Sequence, residues 1–385
     1  QNMKKKCPQT LIHNLHEWRV LVENTNSLAH TVIQDVNFCQ EKVDWTRFHL
    51  NQTSFLGCTF KRRDAIYLIE KGAFVYPKFK NIPYNPYRNF LYTWQELMEG
   101  YHPNQDKSRD LKIYKHFSAT KYNPSVHEAM AQRIHDHSID DALRKLLGYD
   151  DYGMTQRKCV GFMGGHATKR GSEFYNKTAL VAKRIAQMGY YVVTGGGPGI
   201  MEAANLGAYM AHYSEEDLHD AIAILQDLKF TEPNQVDYLA ENYAEQSKIV
   251  LERYPNACES LAIPTWFYGH EPSNVFATHI AKYFSNSIRE DTLLAISLFG
   301  IVYAPGSAGT TQEIFQEAAQ NHYGTFGYYS PMIFLGVKRY VEDTTLYSVL
   351  HQLAKGKTYK KLLYLTDDAD EVVEFIINNP PIKVE

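Results

Sequence analysis

The chain has 385 residues and a mass of 44.3 kDa, more than one hydrophobic core usually supports, so two units or one elaborated domain are expected. Hydrophobic residues make up 44% and charged residues 22%, which excludes global disorder. With 40 basic against 43 acidic residues the net charge is −3, too near neutral for a dedicated nucleic-acid binder. No apolar run approaches the roughly 18–20 residues of a membrane span, so no membrane association is expected. The opening Gln1–Cys7 stretch carries charge without an apolar run, and no signal peptide is expected. The 5 cysteines are odd in number and scattered, which reads as reduced thiols of a cytoplasmic protein. The 16 histidines lack ligand spacing, so no metal is expected.

In residues 1–62 apolar side chains recur every fifth position: Leu28, Ile33, Phe38, Val43 and Phe48, then Phe55 and Phe60 after a two-residue slip. This step resembles pentapeptide-repeat proteins, in which stacked coils bury inward-pointing Leu and Phe; chance spacing in an aromatic-rich chain is the alternative. A small β-rich N-terminal segment is expected, with a structural use. Residues 63–124 follow as a Tyr/Pro-rich segment, with Tyr76-Pro77 and Ile82-Pro83-Tyr84-Asn85-Pro86-Tyr87 suggesting an extended wrap over a surface. From Ser125 to Leu147 the period becomes helical and Gly148 is placed to end it.

From Lys158 onward short apolar runs alternate with helical patterns. The expected strands are Cys159–Met163, Tyr190–Thr194, Leu261–Pro264, Gly300–Ala304, Met332–Val337 and Leu362–Leu365. Helical stretches include Ala179 to Ala186, and Ile280, Phe284 and Ile288. This alternation predicts an α/β fold with a doubly wound parallel sheet over 125–385, whose ligands bind at the carboxyl ends of the strands. Residues 212–256 break the rhythm as a helical insertion. Ser214 to Asp217 has capping-box form, followed by Leu218, Ile222, Leu225 and Leu228 on one face. A lid or an oligomerisation element without chemistry is the expected role.

Three glycine-rich turns each follow an expected strand. The first, Gly161-Phe162-Met163-Gly164-Gly165-His166, lets backbone approach a ligand at Gly164 and Gly165, with Lys169 and Arg170 adding positive charge. The second runs from Thr194 through Gly195, Gly196, Gly197 and Gly199 to Met201 and Glu202. So many glycines belong in a strand-to-helix turn facing a ligand, while Glu202 also reads as an acid favoured at a helix start. The third runs from Pro305 and Gly306 through Ser307, Gly309, Thr310 and Thr311 to Glu313. Backbone N–H groups and two hydroxyls at a helix start would cradle an anion. A carboxylate at Glu313 beside a phosphate makes sense if it acts on a cation-like centre, such as an oxocarbenium-like sugar. None of the turns is a GxGxxG with a ribose-binding acid, which argues against NAD, and no cofactor is expected.

GGGPGIMEAAN and PGSAGTTQE together resemble the Lonely Guy (LOG) family, long labelled "lysine decarboxylase-like", whose hallmark is PGGxGTxxE. The GPGxMEA form is also similar to the bacterial nucleotide 5′-monophosphate nucleosidases. The resemblance covers roughly 155–380. It implies a Rossmann-like fold, a homo-oligomer, and hydrolysis of the N-glycosidic bond of a nucleoside 5′-monophosphate to free base and ribose 5-phosphate. By position it makes Gly306, Gly309, Thr310 and Thr311 phosphate ligands and Glu313 the catalytic acid. Arg289 is the candidate for the family's essential arginine. Ser307 replaces the hallmark's second glycine, and Arg289 stands one residue further from the motif than the family spacing, a slip that rotates a helical side chain by about 100°.

Between these motifs Trp266-Phe267-Tyr268-Gly269-His270-Glu271-Pro272-Ser273-Asn274 follows a strand. Trp266 and Tyr268 are candidates to stack on a base, His270 and Glu271 to hydrogen-bond base or ribose, and Asn274 to cap the helix leading to Arg289; a structural aromatic loop is the alternative. The leading expectation is a nucleotide N-glycosidic hydrolase in which Arg289 and the 305–311 loop anchor phosphate. The alternative is a nucleotide-binding sensor without catalysis.

Overall fold

The computed structural model describes residues 9–102, 105–149, 154–272 and 274–384. Cys7 and the opening basic stretch, and Ser273, lie outside the described residues. The described residues of Gln1–Phe90, Thr120–Ala142 and Tyr149–Met154 form one compact unit, and those of Leu91–Ala119, Leu143–Gly148 and Thr155–Glu385 form another. These divisions differ from the boundaries expected at 62 and 124. Pairing of residues near 74–76 extends the first unit beyond 62, and Leu91–Ala119 pack with the second.

In the first unit β1 (Thr10–Ile12), β2 (Thr31–Gln34), β3 (Ser54–Leu56) and β4 (Phe74–Tyr76) pair in order, all parallel, with α1 (Leu15–Asn24) and α2 (Arg62–Glu70) in the connections. Val32 faces Ser54, Ser27 faces His49 and Asn37 faces Thr59, so one coil takes 22 residues. The five-residue step is the spacing of sides within a coil, and the two-residue slip is what lets the coil close at this length. Leu28, Ile33, Phe38 and Phe55 are fully buried, with Val43 and Phe60 partly buried against them. The corners repeat at the same offset in the left-handed region: His30 (φ 56°) with Gln52 (φ 52°), and Asp35 (φ 52°) with Gly57 (φ 66°). Trp18 and Trp45 join Phe38, Phe48 and Phe55 in an aromatic core.

The Tyr/Pro-rich segment is not a uniform wrap. Tyr87 lies flat where a Cβ on Gly57 would approach its ring to 2.4 Å, and its hydroxyl donates to the Pro77 carbonyl at 2.8 Å. The segment then forms α3 (Trp94–Leu97) and α4 (Arg109–Thr120). The helix α5 (Val126–Leu147) follows, with Gly148 at φ 63° ending it as expected.

The second unit is built on β5 (Cys159–Met163), α6 (Glu173–Gln187), β6 (Tyr191–Thr194), α7 (Ile200–Tyr209), the insertion helices α8 (Glu215–Gln226) and α9 (Tyr243–Arg253), β7 (Leu261–Ala262), β8 (His279–Ile280), α10 (Asn286–Ile296), β9 (Ile301–Tyr303) and α11 (Ala308–Tyr323). It continues with β10 (Tyr328–Tyr329), β11 (Met332–Leu335), α12 (Leu346–Leu353), β12 (Leu363–Thr366), α13 (Ala369–Asn378) and β13 (Ile382–Lys383), β10 and β13 forming an antiparallel pair. The large sheet has the order β12-β11-β9-β5-β6-β7-β8 and is parallel throughout, a Rossmann-like α/β architecture. Val160, Phe162, Val192, Val302 and Ile333 of the sheet pack with Val181 and Ile185 of α6 and Val372 of α13.

The chain runs outward from β5 to β8 and then returns to β9 on the other side of β5. This is a topological switch point, and it opens a crevice beyond the carboxyl ends of β5 and β9. One local reading is overturned: Ile280, Phe284 and Ile288 are not a continuous helix. Ile280 lies in β8, where its N–H and carbonyl exchange 2.9 Å bonds with Tyr92, and the helix begins only at Asn286. Sheet-edge pairing outweighs a helical spacing here. In the insertion the capping box at Ser214 and Asp217 forms, and Leu218, Ile222 and Leu225 are buried with Val250 and Tyr254.

Candidate active site

A cleft of about 650 Å³ occupies the switch-point crevice. The three glycine turns meet there. The Gly165 N–H donates to the Pro305 carbonyl at 2.9 Å and the Ile200 N–H to the Gly165 carbonyl at 3.2 Å, so the three loops form one floor. Gly164, Gly165, Gly195, Gly196, Gly197, Met201, Glu271, Arg289, Ser307, Gly309, Thr310 and Glu313 all line the cleft.

The third turn feeds directly into α11. Ser307, Ala308, Gly309 and Thr310 line the cleft, Ser307 makes no side-chain cap bond, and no acid lies in the first turn. First-turn N–H groups have no intrahelical acceptor, and the helix dipole adds positive potential, so this end suits an anion. Gly306 is required by space: a Cβ would lie 2.1 Å from the Thr310 hydroxyl oxygen. Ser307 is accommodated because its φ is −112°, outside the left-handed region that favours glycine.

Glu313 is buried at the inner end of this turn, with its Oε1 3.6 Å from Arg289 Nη1. Burial pushes its carboxyl up to about 7, the Arg289 guanidinium opposing and Glu290 adding to the rise. Arg289 faces the cleft despite its shifted spacing. Its Nε donates to the Ile263 carbonyl at 2.7 Å, one Nη to the Gly195 carbonyl at 3.1 Å, and the other to Glu290 Oε1 at 3.3 Å. With three hydrogen bonds to two loop carbonyls and Glu290 and an ion pair to Glu313, Arg289 links Glu313 to the second turn while still lining the cleft.

Several expected ligands lie outside the cleft lining. Glu202 is buried in an ion pair: Arg170 Nε and Nη2 donate to its two oxygens at 2.8 Å, and the Tyr175 and Tyr243 hydroxyls also donate to it. Burial alone would raise this carboxyl, but Arg170 and the hydroxyls hold it below its ordinary value. Gly199 (φ 68°) serves the contact between turns, since a Cβ there would lie 2.3 Å from the Gly165 carbonyl oxygen. The Thr311 hydroxyl donates to the Ser307 carbonyl at 3.0 Å, within its own helix. Pro305 and Gly306 are not among the lining residues, and the Pro305 carbonyl is the acceptor for the Gly165 N–H.

In the aromatic loop Trp266 is fully buried and its Nε1 donates to Asp110 at 2.7 Å, so its ring is unavailable to a base. His270 contacts Asp106 at 3.3 Å. Asn274 does not cap a helix: its Oδ1 accepts from the Phe276 N–H and its Nδ2 donates to Asn205 at 2.9 Å. Asn205 in turn accepts from the Thr194 hydroxyl, which supports the Gly196 N–H, so Asn274 braces the second turn. Tyr268 and Glu271 do line the cleft, Tyr268 being largely exposed.

Lys282, Glu290 and Gln312 line the cleft as well; Gln312 belongs to the PGSAGTTQE motif and Glu290 neighbours Arg289, while Lys282 had no sequence signal. Lys282 follows β8, which reads locally as helix, and its Nζ pairs with Asp110 at 2.8 Å. Glu290 receives the Gln312 amide at 3.1 Å. Among the described residues no group of three or more His, Cys, Asp or Glu side chains is placed to hold a metal ion, and no helix is long and apolar enough to cross a membrane.

Residues 157–213, from β5 past the end of α7, match the family described as the SLOG cluster4 family. The match spans the first two glycine turns and does not extend to PGSAGTTQE. No curated protein matches the chain. Among solved structures the chain is similar to the Moco carrier protein of Chlamydomonas reinhardtii, at 14% identity over 58% of this chain and 99% of that chain, with a TM-score of 0.34. It is also similar to the molybdenum cofactor binding protein of the phototrophic bacterium Rippkaea orientalis, at 14% identity over 58% and 97% of the two chains, with a TM-score of 0.34.

Proposed function

We propose that the cleft hydrolyses the N-glycosidic bond of a nucleoside 5′-monophosphate, as the LOG-like motifs imply. The observation that carries this reading is the buried Glu313 carboxyl beside Arg289, one helical turn behind an uncapped helix N-terminus. The α11 N-terminus takes the 5′-phosphate, through the first-turn N–H groups and the Thr310 hydroxyl. That places the ribose deeper, towards Glu313. As the C1′–N bond breaks, the electron pair leaves with the base and positive charge develops on the ribose ring. The Glu313 carboxylate stabilises that charge and orients the water whose oxygen bonds to C1′; one water proton ends on the base and the other stays on the new C1′ hydroxyl. Arg289 keeps the carboxylate in place while its fixed carbonyl contacts tie the second glycine turn to the same frame.

The test is incubation of the full chain with a panel of nucleoside 5′-monophosphates, with free base and ribose 5-phosphate quantified by chromatography. Release of both in equal amounts, abolished in Glu313→Gln, supports the hydrolase. Nucleotide binding with no release from any member of the panel overturns it in favour of the sensor. The homo-oligomer implied by the same resemblance is checked by sedimentation of the full chain.

A further inference from the structure

We propose that Tyr238, carried on the 212–256 insertion, contacts the base of the bound nucleotide, and that Asp237 and Arg170 are positioning residues that hold it at the cleft. This rests on the reading of the cleft as a nucleotide site. The Tyr238 ring lies 6.2 Å from the ring of His166, tilted by 51°, and His166 lines the cleft just after β5. Glu271, another lining residue, is close enough that, after burial, its charge pushes the Tyr238 phenol up. Tyr238 therefore stands beside two cleft walls while belonging to neither.

Its place is fixed through the backbone. The Asp237 carboxylate accepts the Arg170 N–H at 2.7 Å. The Arg170 guanidinium, buried against Glu202, also reaches the Leu225 carbonyl of α8 at 3.4 Å and the Ser247 hydroxyl of α9 at 2.8 Å. One side chain thus joins the first glycine turn, the helix after the second, and both insertion helices. An insertion tied in this way is a wall of the site rather than a free lid.

The chemistry at this wall selects the base end of the ligand. A phosphate is repelled by the Glu271 carboxylate, which also crowds Gly197: a Cβ there would lie 3.0 Å from Glu271 Oε2. A planar heteroaromatic ring instead finds an aromatic face at Tyr238 and an acceptor at Glu271.

Titration calorimetry of the full chain with adenosine 5′-monophosphate, uridine 5′-monophosphate and ribose 5-phosphate tests this. Tyr238→Ala is expected to weaken nucleotide binding about 10-fold and leave ribose 5-phosphate binding unchanged, because stacking is lost only where a base is present. Tyr238→Phe is expected to keep most of the nucleotide affinity. Equal weakening of nucleotide and sugar phosphate, or no change in either, overturns the assignment while the nucleotide reading stands. Failure of the unsubstituted chain to bind any of the three overturns both. A melting curve for each variant checks that the fold is intact.

Discussion

Arg289 Nη1 and Glu313 Oε1 are 3.6 Å apart inside a buried pocket, yet the carboxyl still titrates near 7 because desolvation outweighs this one cation and Glu290 opposes it. A group tuned this way is half ionised where a cell operates. Between about pH 4.5 and 7 the folded chain keeps a proton on Glu313 that the unfolded chain has released. Stability therefore falls as pH rises through that window and stays lowered above it. Glu313→Gln has no proton to lose, so its advantage over the parent should grow from near zero at pH 4.5 to about 3 kcal/mol at pH 8, read by urea unfolding. If the ionised form works on the ribose, turnover of the parent rises with pH through about 7 while stability declines.

The same carboxyl reports on Arg289. Replacing Arg289 by Met removes the cation that lowers Glu313 and leaves two buried carboxyls facing each other, so the pH at which activity appears should move upward. Loss of one partner from a buried charge cluster also costs about 3–5 kcal/mol. Arg289→Lys should restore part of the pH profile but not the links to Ile263 and Gly195, because an ammonium cannot reproduce the guanidinium fork. The pH–rate profiles of the three forms check this.

Glu317 lies one turn further along α11, fully buried, with one oxygen accepting from the Ser330 hydroxyl. Burial pushes its carboxyl up to about 7, Ser330 opposing. It does not line the cleft, so Glu317→Gln should gain stability above pH 7 by the same proton argument and leave nucleotide turnover within about twofold. Urea unfolding at pH 5 and pH 8, with turnover at pH 8, separates it from Glu313.

What was legible in the sequence is what backbone chemistry forces. Glycines at 164–165, 195–197, 306 and 309 mark where the loops meet at the cleft, and the strands before them are short runs of buried apolar residues. The five-residue step from Leu28 to Phe60 was readable for the same reason, since each inward position must be apolar. The partners of Glu202 could not be read from the sequence because they are tertiary: Arg170 lies just before α6, Tyr175 in its first turn, and Tyr243 opens α9. Lys282 and the short strand before it were hidden because a two-residue strand pairing with Tyr92 has no periodicity of its own. Trp266 is a stacking candidate by sequence, and its complete burial and its bond to Asp110, far away in sequence, remove it from the site.

The Arg170–Glu202 pair allows a test of whether the insertion is held by charge or by packing. Both side chains are almost completely buried, and Arg170 lies over the Tyr243 ring at 3.6 Å. Glu202→Gln leaves a buried guanidinium with weakened compensation, and Arg170→Met leaves a buried carboxylate with only hydroxyl donors; each should cost about 3–5 kcal/mol. In the double variant Arg170→Met/Glu202→Met neither charge remains to be desolvated, and two apolar side chains occupy the space against Tyr175 and Tyr243. Its loss should therefore be smaller than that of either single variant, a large coupling in the double-mutant cycle measured by urea unfolding. Tyr238 is tied to this pair through the bond from the Arg170 N–H to the neighbouring Asp237 carboxylate, which methionine retains. The double variant should accordingly keep nucleotide affinity within a few-fold even where the single variants lose it, and additive losses would instead place the insertion's anchorage in the packing of α8 and α9.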